Sequence, residues 1–321
     1  MHPDQIHDLY GECRLCPRNC GVDRLHGKIG YCGESAWMRI AWAGLHLGEE
    51  PPLLGEKGSG TIFFSGCTLK CGSCQNCQIS HEGIGREISS GELRSLMLRL
   101  QERGSANINL VTAGHFTPSI VEVVAEARRR GLAIPVVWNS SGYETISTPE
   151  RLKETVDVYL PDCKTLDPEV SGRLMGAADY PEVVRPVLLK MVEDKPLIFE
   201  REQLRQGVMI RHLVLPGLLD QSREVLEWFA GHIRDRALLS LMFQFTPLRQ
   251  EAQWDAVHPQ RTVNLREYQR VLSWLEELEI NHGYVQGPAR SDDWLPDFTR
   301  LNPFPRGQSV PLWHYQSGYV E

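Results

Sequence analysis

The stretch TIFFSGCTLKCGSCQNC, residues 61–77, decides how the rest of the chain reads. Its first part is a short β-branched and aromatic run ending in glycine, the pattern of a buried strand closing in a turn. Its second part puts Cys67, Cys71 and Cys74 at C-x3-C-x2-C spacing directly after that strand. Three thiolates from one tight loop can ligate only three irons of a four-iron cubane, so one iron is left open to a non-protein ligand. A zinc knuckle is the competing reading, but zinc sites usually bring four protein ligands. Spacing and strand-end position together favour the three-cysteine [4Fe–4S] cluster. Cys77, three residues further on, and the lone Cys163 read as packed thiols, since free cysteine behaves as a small hydrophobe.

Outward from this stretch the same grammar repeats. The runs NINLVT (107–112), IPVVW (134–138), VDVYL (156–160), VMIRHLV (208–214) and LLSLMFQF (238–245) read as further strands, making six with TIFFSG. Helix starts fall between them: Ser89 with Glu92 makes a capping box, and Thr117-Pro118, Thr148-Pro149 and Asp167-Pro168 each pair an N-cap with a first-turn proline. A helix over 181–194 carries Pro186 inside it, where a bond is lost or the axis kinks. Strand–helix alternation at this spacing calls for parallel pairing with right-handed crossovers, in an α/β doubly wound sheet or a barrel. The expected division is a cysteine-rich metal-binding module at 1–60, the repeating unit at 61–290 and an irregular, aperiodic tail at 291–321.

Eight of the nine cysteines lie between residues 13 and 77. Cys13, Cys16, Cys20 and Cys32, at C-x2-C-x3-C-x11-C, suffice for a closed four-ligand site, either zinc or an auxiliary iron–sulfur cluster. Arg18, Arg24 and Lys28 among them are read either as shielding thiolate charge or as ordinary surface. The start, MHPDQIHDLYGEC, has no basic or apolar region of a secretory signal, and no apolar run approaches the ~20 residues of a spanning helix. A cytoplasmic protein with reduced thiols is expected. The net charge of −7 offers no global basic field, so neither nucleic acid nor a membrane surface is an expected partner.

The segment FFSGCTLKCGSCQN resembles the signature of the radical S-adenosylmethionine superfamily. The chain as a whole is similar to the subgroup around pyruvate formate-lyase activating enzyme and its uncharacterised iron–sulfur relatives. LCPRNCGVDR (15–24), GKIGYCGE (27–34), INLVTAGHFTP (108–118), WNSSGYE (138–144), YLPDCK (159–164) and IRHLVLPG (210–217) support the likeness. The resemblance implies a partial (β/α)6 TIM-like barrel with its site at the C-terminal ends of the strands. It also implies S-adenosyl-L-methionine at the open iron, cleaved reductively to a 5′-deoxyadenosyl radical that takes hydrogen from a substrate. Two departures from the family pattern are Ser73, where an aromatic often precedes the third cysteine, and Thr112-Ala113-Gly114-His115 in place of a GGE stretch.

Polar residues at strand ends are then the candidates for the cosubstrate. Asn139 and Ser141, with Ser140, follow the third strand. Asp162 and Lys164 follow the fourth, in a stretch similar to the DLK segment of the activating enzymes, where the lysine approaches the methionyl carboxylate. Of Arg211 and His212 only one can face inward, and His212 is the choice because Ile210 and Val214 would then face inward too. His115 and Gln244 are weaker candidates. The implied partners are an electron donor such as flavodoxin or ferredoxin and a protein substrate carrying the glycine of a glycyl-radical enzyme. The alternative is a non-catalytic iron–sulfur protein for electron transfer or metalloenzyme assembly.

Overall fold

The computed structural model describes residues 9–248, 259–288, 295–304 and 307–320. Its strands are β1 (Arg39–His46), β2 (Ser59–Phe64), β3 (Arg86–Glu87), β4 (Ile108–Val111), β5 (Val136–Ser140), β6 (Val158–Pro161), β7 (Ile198–Glu200), β8 (Gln203–Leu213), β9 (Leu238–Met242), β10 (Gly283–Val285), β11 (Ser309–His314) and β12 (Gly318–Tyr319). Between them run helices α1 (Pro51–Leu54), α2 (Cys77–Ser80), α3 (Ser90–Glu102), α4 (Thr117–Arg129), α5 (Ser147–Leu152), α6 (Pro168–Met175), α7 (Tyr180–Asp194), α8 (Leu219–His232) and α9 (Leu265–Glu277).

The sheet runs β10-β9-β8-β6-β5-β4-β2-β1-β11-β12, and every neighbouring pair from β10 to β2 is parallel. All six expected strands lie in this parallel series, which curls into a partial TIM-like barrel. Parallel register sets side chains level across it: Val137 beside Val158, and Met209 beside Leu238. These residues fill the barrel floor together with Leu53 of α1. Outside, the helices bury a second apolar layer against the strands.

The caps follow local chemistry. Ser89 Oγ accepts from Glu92 N while Glu92 Oε2 accepts from Ser89 N, completing the capping box. Asp167 Oδ1 accepts from both Glu169 N and Val170 N. The two threonines do not cap. A 3-10 turn at Gly114–Phe116 runs straight into α4, so Thr117 donates back to Gly114 O, and α5 begins at Ser147. Pro186 sits inside α7 on its exposed side, opposite buried Val184, Val187 and Leu188, so water can replace the lost bond.

Two expected boundaries move. β1 and β2 belong to the main sheet, paired with each other antiparallel, so the second half of 1–60 extends the barrel. The tail is also not irregular throughout: β11 pairs antiparallel with β1 and then with β12. Residues 291–294, 305–306 and 321 of that tail lie outside the described residues. Aperiodicity in sequence misled because β11 buries Leu312 and Trp313 against the sheet in a strand that also contains Pro311.

Candidate active site

β2 ends at Phe64, and the turn after it needs Gly66, whose φ is +78°. A Cβ there would sit 2.6 Å from Glu34 Cγ and 2.7 Å from Cys32 O. The glycine therefore lets the N-terminal segment press against the cysteine loop, where Cys67 N donates to Cys32 O at 3.2 Å. Within the loop, Leu69 N donates to Cys67 Sγ and Ser80 Oγ to Cys74 Sγ, each at 3.4 Å. Burial pushes the Cys71 thiol up to about 12 and Cys74 to about 11, so without a cation both are protonated and metal binding must release those protons. No three His, Cys, Asp or Glu side chains among the described residues converge at single-ion spacing. Cys77 opens α2 outside the cavity lining, and Cys163 is wholly buried in the core.

Cys71 and Cys74 face a cavity of about 290 Å³ at the C-terminal ends of the barrel strands. Asn139, Asp162, Lys164 and Arg211 face the same space. Asp162 accepts from Lys164 Nζ at 2.6 Å and from Arg211 Nε at 3.0 Å, and Arg211 Nη2 also donates to Asn139 Oδ1. Burial alone would raise the Asp162 carboxyl, but Lys164 and Arg211 outweigh it and hold the group below the usual range. Burial likewise disfavours the Lys164 ammonium, yet Asp162 and the nearby Cys71 raise it, so the lysine stays charged. Phe63, Val111, Leu213 and Met242 supply apolar walls.

Three sequence candidates lie elsewhere. Ser141 lines a separate narrow cleft with Cys16, Thr68 and Glu144. His212 faces out of the barrel beneath α8: its Nδ1 donates to Cys163 O at 2.7 Å and its Nε2 accepts from Ser222 Oγ at 2.9 Å. Burial lowers it to about 4, so it is neutral. Alternation held, but its apolar neighbours pack on the helices, and Arg211 is the residue that points inward. His115 is structural in the same sense, donating from Nε2 to Ser65 O at 2.8 Å, with burial lowering it to about 3. Gln244 does line the cavity, its Oε1 buried without a donor. Sequence reasoning passed over Glu49, Glu50 and Gln286, which also line it. The pair of acids ahead of Pro51-Pro52 in a glycine-rich stretch was the available signal.

The N-terminal cysteines are folded against this loop. Cys13 and Cys32 are buried, and Cys20 Sγ accepts from Tyr31 N at 3.3 Å. Arg24 is fully buried, donating to His115 O at 2.6 Å and twice to Ser35 O, with Nη1 3.7 Å from Cys13 Sγ. Arg18 donates to Thr68 O and Met175 O and stacks 3.9 Å over Tyr31. Lys28 is exposed. Two of the three basic residues are thus clamps between the cysteine segment and the barrel.

A barrel of parallel strands with a three-cysteine loop beyond its first parallel strand defines a class, and comparison with known proteins agrees. The model of the Radical SAM superfamily matches residues 61–229, and the chain belongs to that superfamily. It is 30% identical over 281 residues to the uncharacterized protein MJ0674 of Methanocaldococcus jannaschii, covering 85% of this chain and 77% of that one. It is 24% identical over 202 residues to the pyruvate formate-lyase-activating enzyme of Clostridium pasteurianum, covering 60% of this chain and 76% of that one. Among solved structures, SuiB of Streptococcus suis superposes with a TM-score of 0.48 at 14% identity, covering 69% of this chain. The chain spans 47% of SuiB's length. Among the described residues no helix is long and apolar enough to cross a membrane.

Proposed function

We propose that this chain is a radical enzyme in which Cys67, Cys71 and Cys74 hold a [4Fe–4S] cluster, and the adjoining cavity takes S-adenosylmethionine together with a hydrogen-atom donor. The observation that carries this reading is the opening of Cys71, Cys74, Asp162, Lys164 and Arg211 onto one cavity at the strand ends. When bound, the cluster and cosubstrate supply an electron-driven cleavage to methionine and a 5′-deoxyadenosyl radical. The chain's own residues do the positioning. Lys164, fixed by Asp162, presents an ammonium to a carboxylate; Arg211 and Asn139 offer planar groups to hydroxyl and amino functions. Phe63, Leu213 and Met242 keep water from the reacting atoms.

In the same reading a flavodoxin or ferredoxin supplies the electron. The quartet Cys13, Cys16, Cys20 and Cys32 holds a second metal, either zinc or an iron–sulfur cluster, and its nearness to the central loop is supported by the backbone bond from Cys67 N to Cys32 O. Reduced thiols suit a cytoplasmic protein. The likeness to the activating enzyme supports a narrower second reading, a glycyl-radical activase acting on a partner protein.

Anaerobic reconstitution with iron and sulfide, followed by dithionite and S-adenosylmethionine, tests the main reading. 5′-Deoxyadenosine is expected. An intact cluster that produces none overturns it and favours a non-catalytic iron–sulfur protein.

A further inference from the structure

Three residues of the cavity lining, Glu49, Glu50 and Gln286, stand apart from those assigned to cluster and cosubstrate. The parallel series ends at β10 on one side and continues past β2 into antiparallel β1 on the other, and the cavity touches both, with His46 at the end of β1 and Gln286 just past β10. Glu49 and Glu50 lie between them in the lining. Glu50 is 9% exposed, and its Oε1 accepts from Ser240 Oγ at 2.8 Å. Its Oε2 is buried with no protein donor, and the Glu49 carboxyl lies next to the Glu50 carboxyl. The sheet register pairs Ser240 with Tyr284, so Gln286, two residues further, faces the same side. Its Oε1 is likewise buried without a donor.

These unpartnered groups are all acceptors. Burial pushes both glutamates up, and Arg211, the cation whose field opposes this, already spends Nε on Asp162 and Nη2 on Asn139. A buried carboxylate with an open lone pair is costly unless a donor, best a cationic one, completes it. A primary ammonium carries three N–H donors and no acceptor, matching in number the two carboxyls and one amide oxygen in this lining.

We infer that the substrate of this enzyme carries a primary ammonium group, received by Glu49, Glu50 and Gln286. The inference rests on the radical-enzyme reading, because it assigns these residues to the molecule that joins S-adenosylmethionine in the cavity. An ammonium held there turns the rest of the substrate toward the apolar walls of Phe63, Leu213 and Met242.

The test uses the reconstituted holoprotein saturated with S-adenosylmethionine and n-butylammonium as probe, followed by saturation-transfer NMR, with n-butanol and butyrate as chain-length controls. Butylammonium alone is expected to bind. Glu50→Gln and Glu49→Gln should each weaken it at least tenfold at unchanged iron content and melting temperature, while Glu102→Gln on the exposed side of α3 should not. If Glu50→Gln fails to fold, Glu49→Gln and the wild-type probe series decide. Equal binding of butanol, no binding of butylammonium to wild type, or undiminished binding in the folded glutamate variants overturns the inference. So does binding of butylammonium only to holoprotein that lacks S-adenosylmethionine, which would place the probe in the cosubstrate's position. Formation of 5′-deoxyadenosine by wild type without probe reports separately on the underlying radical reading.

Discussion

Asp162→Asn is the substitution whose consequence the geometry fixes best. The carboxylate is 17% exposed and joins Lys164 Nζ at 2.6 Å to Arg211 Nε at 3.0 Å. Asparagine keeps one oxygen to accept from Arg211 but removes the charge, leaving Lys164 without its counter-ion and Arg211 with only Glu49 and Glu50. Breaking a buried pair in this way costs ~3–5 kcal/mol. Lys164 is 32% exposed, so water recovers part of its loss, and the expected cost is about 3 kcal/mol. At a urea slope of ~1–3 kcal/mol per molar, the midpoint falls by roughly 1–3 M. The assay is anaerobic urea unfolding of the reduced, metal-free chain at a series of pH values. Asp162 is held below its ordinary 3.8 by Lys164 and Arg211, against the opposing effect of burial. Its stabilisation is therefore complete above that value and is lost as pH falls through the lower folded pKa. The gap between wild type and variant should be constant from pH 5 to 8 and close in stronger acid. A loss under about 1 kcal/mol at pH 7, or a gap that widens on acidification, refutes the argument.

Other outcomes follow from the same site. Cys71→Ala should lose the central cluster and all cosubstrate cleavage, whereas Cys16→Ala should leave that cluster assembled, as iron content and visible absorption will report. Lys164→Ala should weaken S-adenosylmethionine binding without loss of iron; unchanged affinity by equilibrium dialysis would remove Lys164 from the cosubstrate site. Glu144 is buried and raised from 4.5 to about 7, with Trp138 Nε1 donating to its Oε1 at 2.6 Å and Oε2 unpartnered. A raised folded pKa means stability is lost as pH climbs from 4.5 toward 7. Glu144→Gln, which keeps the tryptophan bond, should thus gain up to ~3 kcal/mol at pH 8 and nothing near pH 4, by urea unfolding at both values.

Six strands of the parallel series were legible as short apolar runs, whereas three-residue β10 was not, and the cysteine loop announced itself by spacing. Residues facing the cavity were harder to read for a definite reason. In a parallel barrel both faces of a strand are covered, so apolar neighbours do not say which way a polar side chain points. Ile210 and Val214 pack outward on helices, His212 goes with them to Ser222, and Arg211 turns in. Asn139 and Asp162 could be read at strand ends, while Glu50 reaches the cavity from the segment linking β1 to α1, through a bond to Ser240 that lies 190 residues away in sequence.

The same distance problem hid the union of the two cysteine sets. Nothing in the spacing of Cys13 to Cys32 predicts that Cys32 O will accept from Cys67 N, or that Arg24 will be buried against His115 O. Gly66 is what permits it, since any side chain there would collide with Glu34 and Cys32 O. Arg18 closes the other flank by holding Thr68 O and Met175 O together. A shift of the backbone at Cys32 would thus reach the backbone of Cys67. The N-terminal segment forms one wall of the loop that carries the central cysteines.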